Sequence, residues 1–206
     1  MAAGEAVIAI GVFQGRTVVQ DEPATQQRWN VRNGGDFVSL TLEQFALWSG
    51  AAVPTWPQDY FAAYSGRLTD NQLQDGLAFL RQEGLVATVR SGPSWTALSK
   101  RLRVLPTAYG LGNSPEDQLR FGIQAPGNKL VLVVDATSFL NWMSWDGTRT
   151  IFDGATEVAA ELETVTDPAS AADLALERAR TLLIACLNAG FAFVEHITAP
   201  GAGDLA

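Results

Sequence analysis

The chain alternates between short runs dense in β-branched and aromatic residues and longer runs whose apolar positions recur every three to four residues. Alternation at period two fits a half-buried strand, and recurrence near 3.6 fits an amphipathic helix. In the second half, residues 101–112 (RLRVLPTAYGLG), 118–124 (QLRFGIQ) and 128–134 (NKLVLVV) are strand-like and are set apart by Gly, Pro and Asn clusters. The sequence GLGNS at 110–114 has the composition of a hairpin turn. Helices follow. Asp135 or Thr137 is expected to cap a helix running to Trp145, and residues 146–165 to form a second. In the third, Asp167 is expected as N-cap, Pro168 as first helical residue and Gly190 as C-cap.

The first half repeats the scheme. Residues 17–22, 28–33 and 37–40 are strand candidates, Thr41 with Gln44 and Thr69 with Gln72 form two capping boxes, and Gly84 ends the last helix. An extra apolar run, AVIAIGVF at 6–13, supplies an additional or alternative first strand. Laying Phe45 and Trp48 over Phe139 and Trp142 sets 38–48 on 132–142 without a gap, and 77–89 matches 183–194 with Gly84 over Gly190. The second copy carries the longer middle, where loops absorb divergence. These matches predict an α+β chain of two tandem winged-helix-like domains, at 1–92 and 102–206, related by internal duplication and joined by a linker at 93–101. Each would hold about three short antiparallel strands followed by three helices.

At the matched positions Phe45, Trp48, Phe139 and Trp142 have the spacing of a helix core face. Trp56, Trp95 and Trp145 fall in or beside expected loops, and Tyr60, Phe61 and Tyr64 crowd near Trp56 between and after Pro54 and Pro57. These six aromatics, Trp56, Tyr60, Phe61, Tyr64, Trp95 and Trp145, are candidates for a protein interface.

Composition and charge narrow the chemistry. The 206 residues are 47% apolar, as in a globular protein, and the net charge of −8 disfavours nucleic acid, whose binders carry a basic face. The local basic cluster of Arg90, Lys100, Arg101 and Arg103 flanks the expected linker and is read as solvated. The opening residues lack a basic n-region and any long apolar run, so no membrane segment and a cytoplasmic location are expected. The single cysteine, Cys186, lies among leucines and is expected as a buried thiol, with no disulfide and no metal-binding pair. The single histidine, His196, beside Glu195, is expected in a solvent-facing tail. No nucleophile elbow, paired carboxylates or phosphate loop is present, so the expectation is a non-catalytic protein with no cofactor or metal.

Each half resembles the PqqD-like fold, the small domain shared by the pyrroloquinoline-quinone biosynthesis chaperone and the precursor-peptide recognition elements of ribosomal peptide modification. The likeness is carried by an apolar strand running directly into a helix, then a turn and two helices ending in Leu-x-x-x-Gly followed by an apolar residue. The stretch LVLVVDATSFLNWMSWDGTRT at 130–150 shows it best, while the first copy has WSGAAVPTWPQDY in place of the Asp-Gly turn. The resemblance implies β-augmentation: an extended leader peptide adds as a strand beside the third strand and lies against the third helix. It nominates Val38, Leu40, Leu73, Leu77 and Leu80 in the first copy, and Val131, Val133, Leu176 and Leu183 in the second, with Arg178 and Arg180 facing acidic peptide residues. Taken residue by residue, the same alternating positions also fit plain core packing. The expected function is binding of a precursor or leader peptide, or of a modifying enzyme. A winged-helix transcription regulator and a scaffold protein with both edges sealed are the alternatives.

Overall fold

The computed structural model describes residues 5–17, 27–162 and 167–197. They form an α+β protein of several small antiparallel sheets and seven helices, and they divide into two compact units. The first unit holds the described residues of 6–88 together with 194–197, and the second those of 89–193 with Glu5. The strand candidate at 17–22 lies outside the described residues except for Thr17, as do the last residues of the candidate helix at 146–165.

In the first unit, β1 (Ala6–Ala9) is wholly buried and pairs with β5 (Val86–Val89). Between them run β2 (Val12–Thr17), β3 (Arg28–Asn33) and β4 (Asp36–Leu40), an antiparallel sheet in that order with Val31 opposite Val38. The apolar run at 6–13 is therefore two strands, broken at Gly11. There φ is +104°, and a Cβ would lie 2.6 Å from Val31 Cγ1 and 2.7 Å from the Arg32 carbonyl oxygen. Only glycine allows both the conformation and the approach.

Three helices follow, α1 (Leu42–Gly50), α2 (Pro57–Tyr64) and α3 (Asp70–Gln82). Both expected capping boxes are present. Thr41 Oγ1 accepts from the Gln44 amide and Gln44 Oε1 from the Thr41 amide, and Thr69 and Gln72 do the same. Leu40, Leu47, Trp48, Leu73, Leu77 and Leu80 meet in one core, and the Trp48 indole donates to the Ile10 carbonyl at 2.9 Å.

The second unit opens with α4 (Pro93–Ser99), which replaces the expected linker at 93–101. Its Trp95 is buried and donates to the Leu176 carbonyl at 2.9 Å, so an apolar anchor folds what charge and Gly-Pro composition made look solvated. Lys100 lies over the Phe152 ring at 4.5 Å, and Arg90 pairs with Glu5 at 2.9 Å. Then come β6 (Leu102–Pro106), the sheet of β7 (Tyr109–Ser114), β8 (Asp117–Gln124) and β9 (Val131–Asp135), and the helices α5 (Ala136–Ser144), α6 (Ile151–Leu162) and α7 (Pro168–Ala189). The strand β10 (Ala192–His196) closes the order, with Ala192 and Phe193 in this unit and Val194–His196 in the first.

Two sequence expectations change here. The run at 101–112 is two strands, β6 and the start of β7, and GLGNS is strand throughout; the hairpin turn falls at Pro115 and Glu116, with Ser114 opposite Asp117. The caps of α7 are as expected: Asp167 accepts from the Ser170 amide at 3.0 Å, and Gly190 adopts a left-handed φ of 69°. In the first unit an opening strand pairs with a closing strand around a three-stranded meander and three helices, and in the second β6 precedes a three-stranded meander and three helices, so each contains more strands than the three expected.

Candidate strand-addition site

The outer edge of β9 is prepared by the turn before it. Asn128 donates its amide to the Ala125 carbonyl at 3.1 Å across Pro126 and Gly127, and Gly127 has φ +71°, the pattern of a type II turn. Asn128 Oδ1 then accepts from the Leu130 amide at 2.9 Å and launches the strand. β9 pairs with β8 over its whole length, from Arg120 opposite Asp135 to Gln124 opposite Val131. Among the described residues no strand pairs with its other side.

The two faces of β9 differ. Leu132 and Val134 are half-buried, and Phe121, opposite Val134, stacks on Phe139 of α5 with centroids 4.7 Å apart. Val131 and Val133 point the other way and are 38% and 55% exposed. Beside Val133 the sheet holds a shallow depression of about 550 Å³ over Leu111, Gly112, Phe121 and Gly122, flanked by Asp117 and Arg120. Gly112 lies opposite Gly122, and Gly122 opposite Val133; a Cβ on Gly112 would meet nothing within 4 Å, whereas one on Gly122 would lie 3.2 Å from Leu111 Cδ1 and 3.3 Å from Val131 Cγ1, so the open space is at Gly112.

Asp135 ends the strand and fixes its neighbours. Its Oδ1 accepts from the Ser138 amide at 2.8 Å, capping α5, and Arg178 of α7 reaches its Oδ2 at 3.3 Å. A carboxylate at a helix N-terminus is favoured by the helix dipole as well as by the cap bond.

The corresponding strand in the first unit, β4, is also the end strand of its sheet. Phe37 is exposed there, Val38 is half-buried and Leu40 is fully buried. The residues nominated for peptide contact thus separate. Val131, Val133 and Arg178 are at the surface, and Val38 and Leu176 are half-buried. Leu40, Leu73, Leu77, Leu80 and Leu183 lie in the cores and offer no surface. Arg180 is also inside, 1% exposed, with its guanidinium held by Glu177 at 2.6 Å, so it does not face a peptide. The helical period that marked these positions as a groove is the period of a core face.

The aromatic interface candidates separate in the same way. Trp56 is exposed, and Phe61 and Tyr64 are half-buried. Tyr60, Trp95 and Trp145 are buried: Tyr60 donates to the Leu47 carbonyl at 2.5 Å, and Trp145 packs edge-on against Trp142 at 5.9 Å. Burial pushes the Tyr60 phenol well above its ordinary pKa.

His196 is in β10 and not in a solvent-facing tail. Its amide donates to Asn33 Oδ1 at 2.9 Å, and its ring stands against Gly84, where a Cβ would lie 2.9 Å from Nε2. Glu195 is fully buried and pairs with Arg32 at 2.9 Å. Among the described residues no group of three or more His, Cys, Asp or Glu side chains could hold a metal ion, and no helix is long and apolar enough to cross a membrane.

The depression at Gly112 and Gly122 and the link from Asp135 to Arg178 were not read from the sequence. A paired-glycine signal was available, but the β7–β8 register that aligns the glycines depends on a turn placed elsewhere. No protein-family model, curated protein or solved structure matches this chain.

Proposed function

We propose that the chain is a non-catalytic binding module, a tandem duplication of a winged-helix-like unit related to the PqqD-like fold, that captures an extended peptide by strand addition. The observation that carries this reading is the outer edge of β9. Val131 to Val134 of this strand are four apolar residues with no proline, the charged Asp135 stands only at the strand's end, and no described strand covers the edge. Natural sheets usually guard such an edge with charges, proline or a bulge, because unpaired amides and carbonyls invite another strand. Here main-chain bonds supply affinity, and the apolar face at Val131, Val133 and Leu111 supplies choice of side chain.

The shared order of elements in the two units supports the duplication, with β1 and β5 corresponding to β6 and β10. The ligand class this favours is an unfolded, apolar segment such as a precursor or leader peptide, or an extended arm of a modifying enzyme. The regulator reading is weaker, because α3 exposes Asp70 and Asp75 where a phosphate backbone would lie.

The test is capture from nuclease-treated host lysate, followed by hydrogen exchange on the complex. Slowed exchange across 131–134, and loss of capture in Val133→Lys, would support the reading. Protection elsewhere, or salt-sensitive recovery of DNA from an untreated lysate with no polypeptide partner, would sink it.

A further inference from the structure

We infer that β9 also pairs with β9 of a second copy of this chain, in an antiparallel register centred on Leu132. The inference rests on the reading that this edge is open to strand addition, and it names a partner for it. In an antiparallel pair centred on one residue, partners lie at equal distances on either side of it. Centring on Leu132 places Val131 opposite Val133, Leu130 opposite Val134, and Lys129 opposite Asp135. Every polar residue that reaches the seam therefore meets an opposite charge, and every apolar residue meets an apolar one.

That complementarity is specific to this register. Centring one residue earlier would set Lys129 against Val133 and carry Asp135 past the end of the partner's apolar run, and centring one later would leave Asp135 opposite Val131. The equivalent strand β4 shows nothing comparable, since centring on Val38 sets Asp36 opposite the buried Leu40. Among the described residues Lys129 makes no ion pair; the Asp135 carboxylate, 46% exposed, already accepts from the Ser138 amide and Arg178, so a seam contact with Lys129 is shared with those two partners. The pairing is isologous and closes on itself, as a two-fold interface must. It would join two three-stranded sheets into one six-stranded sheet and bring the exposed Val131 of each copy against Val133 of the other, a β-branched pair of the kind that stabilises sheets. A dimer of this form occupies the edge that a peptide would take, so peptide and second copy compete.

Sedimentation of the full chain over a range of concentrations, with single and mixed charge variants, tests the inference. Wild type should dimerise reversibly. Lys129→Glu sets a glutamate against Asp135 twice across the two-fold, and Asp135→Lys sets lysine against Lys129 twice. Each should weaken dimerisation by roughly tenfold or more, and an equal mixture of the two should recover it, because both seam pairs are again opposite in charge. Asp135→Asn keeps an acceptor for the Ser138 amide and guards against loss of fold in the lysine variant; it should weaken the dimer less. A dimer insensitive to these changes, or no recovery on mixing, overturns the inference. So does a monomer at all concentrations: if that monomer still protects 131–134 with peptide, strand addition stands and only self-pairing fails, and if it does not, both fail.

Discussion

Arg178 and Asp135 lie 3.3 Å apart, and the same carboxylate caps α5 through the Ser138 amide, so one side chain ties the end of β9 to two helices. The two interactions differ in weight. An exposed ion pair is worth little, because solvent screens it and two long side chains must be ordered, whereas a missing cap leaves a helix amide without its acceptor. Asp135→Ala should therefore cost about 1 kcal/mol, and Arg178→Ala a few tenths, on the usual scale for caps and surface pairs. Urea unfolding midpoints check the order, and equal losses would mean that the ion pair dominates.

Core and edge separate at Leu183 and Val133. Leu183 on α7 is fully buried and Val133 on β9 is 55% exposed, although the resemblance nominated both for peptide contact. Leu183→Ala should destabilise by about 2–5 kcal/mol, the usual cost of a large-to-small core change. Val133→Thr should stay within about 0.5 kcal/mol, as exposed substitutions do, while weakening peptide capture. Thermal unfolding and a binding assay on the same two samples separate packing from recognition.

Much of the order of elements was legible because it rests on local chemistry. The capping boxes at Thr41 and Thr69, the Asp167 cap and the left-handed Gly190 each act within one turn of helix, and the sequence states them directly. What was not legible depends on distant partners. The helix at 93–99 forms around a Trp95 whose acceptor, the Leu176 carbonyl, lies far along the chain, and His196 belongs to a strand whose amide meets Asn33. The nominated site suffered from one ambiguity: apolar residues at helical spacing mark a face, and spacing does not say whether that face meets a ligand or a core. Arg180 shows the cost, since an arginine read as surface is buried against Glu177.

Cys186 offers a probe of opening. It is fully buried, and burial pushes its thiol up to about 12, so little thiolate is present and little of it is reachable at neutral or mildly alkaline pH. A disulfide reagent at pH 8 should label native protein far more slowly than urea-unfolded protein, with the rate rising together with loss of helix signal. Rapid labelling before any loss of helix would show that α7 opens locally.

The turn before α6 should carry a specific acid dependence. Asp146 accepts from the amide and hydroxyl of Thr148, both at 2.7 Å, and from the Arg149 amide at 3.2 Å, with Arg149 Nε also near at 3.2 Å. The Thr148 bonds, backbone first, together with the Arg149 amide and charge, hold the carboxyl down at about 2, against 3.8 for a free aspartate. A folded-state pKa below the unfolded one means that the unfolded chain takes up the proton first as pH falls. The contribution is thus fully present above about pH 4 and is lost as pH falls toward about 2. Asp146→Asn has no such group, so the stability gap between wild type and this variant should narrow over that window and stay flat from pH 5 to 8. Urea midpoints of the two proteins at each pH measure the gap, and because other carboxylates are common to both, their titration cancels. A gap that stays constant down to pH 2 would show that the Thr148 and Arg149 bonds do not favour the ionised form.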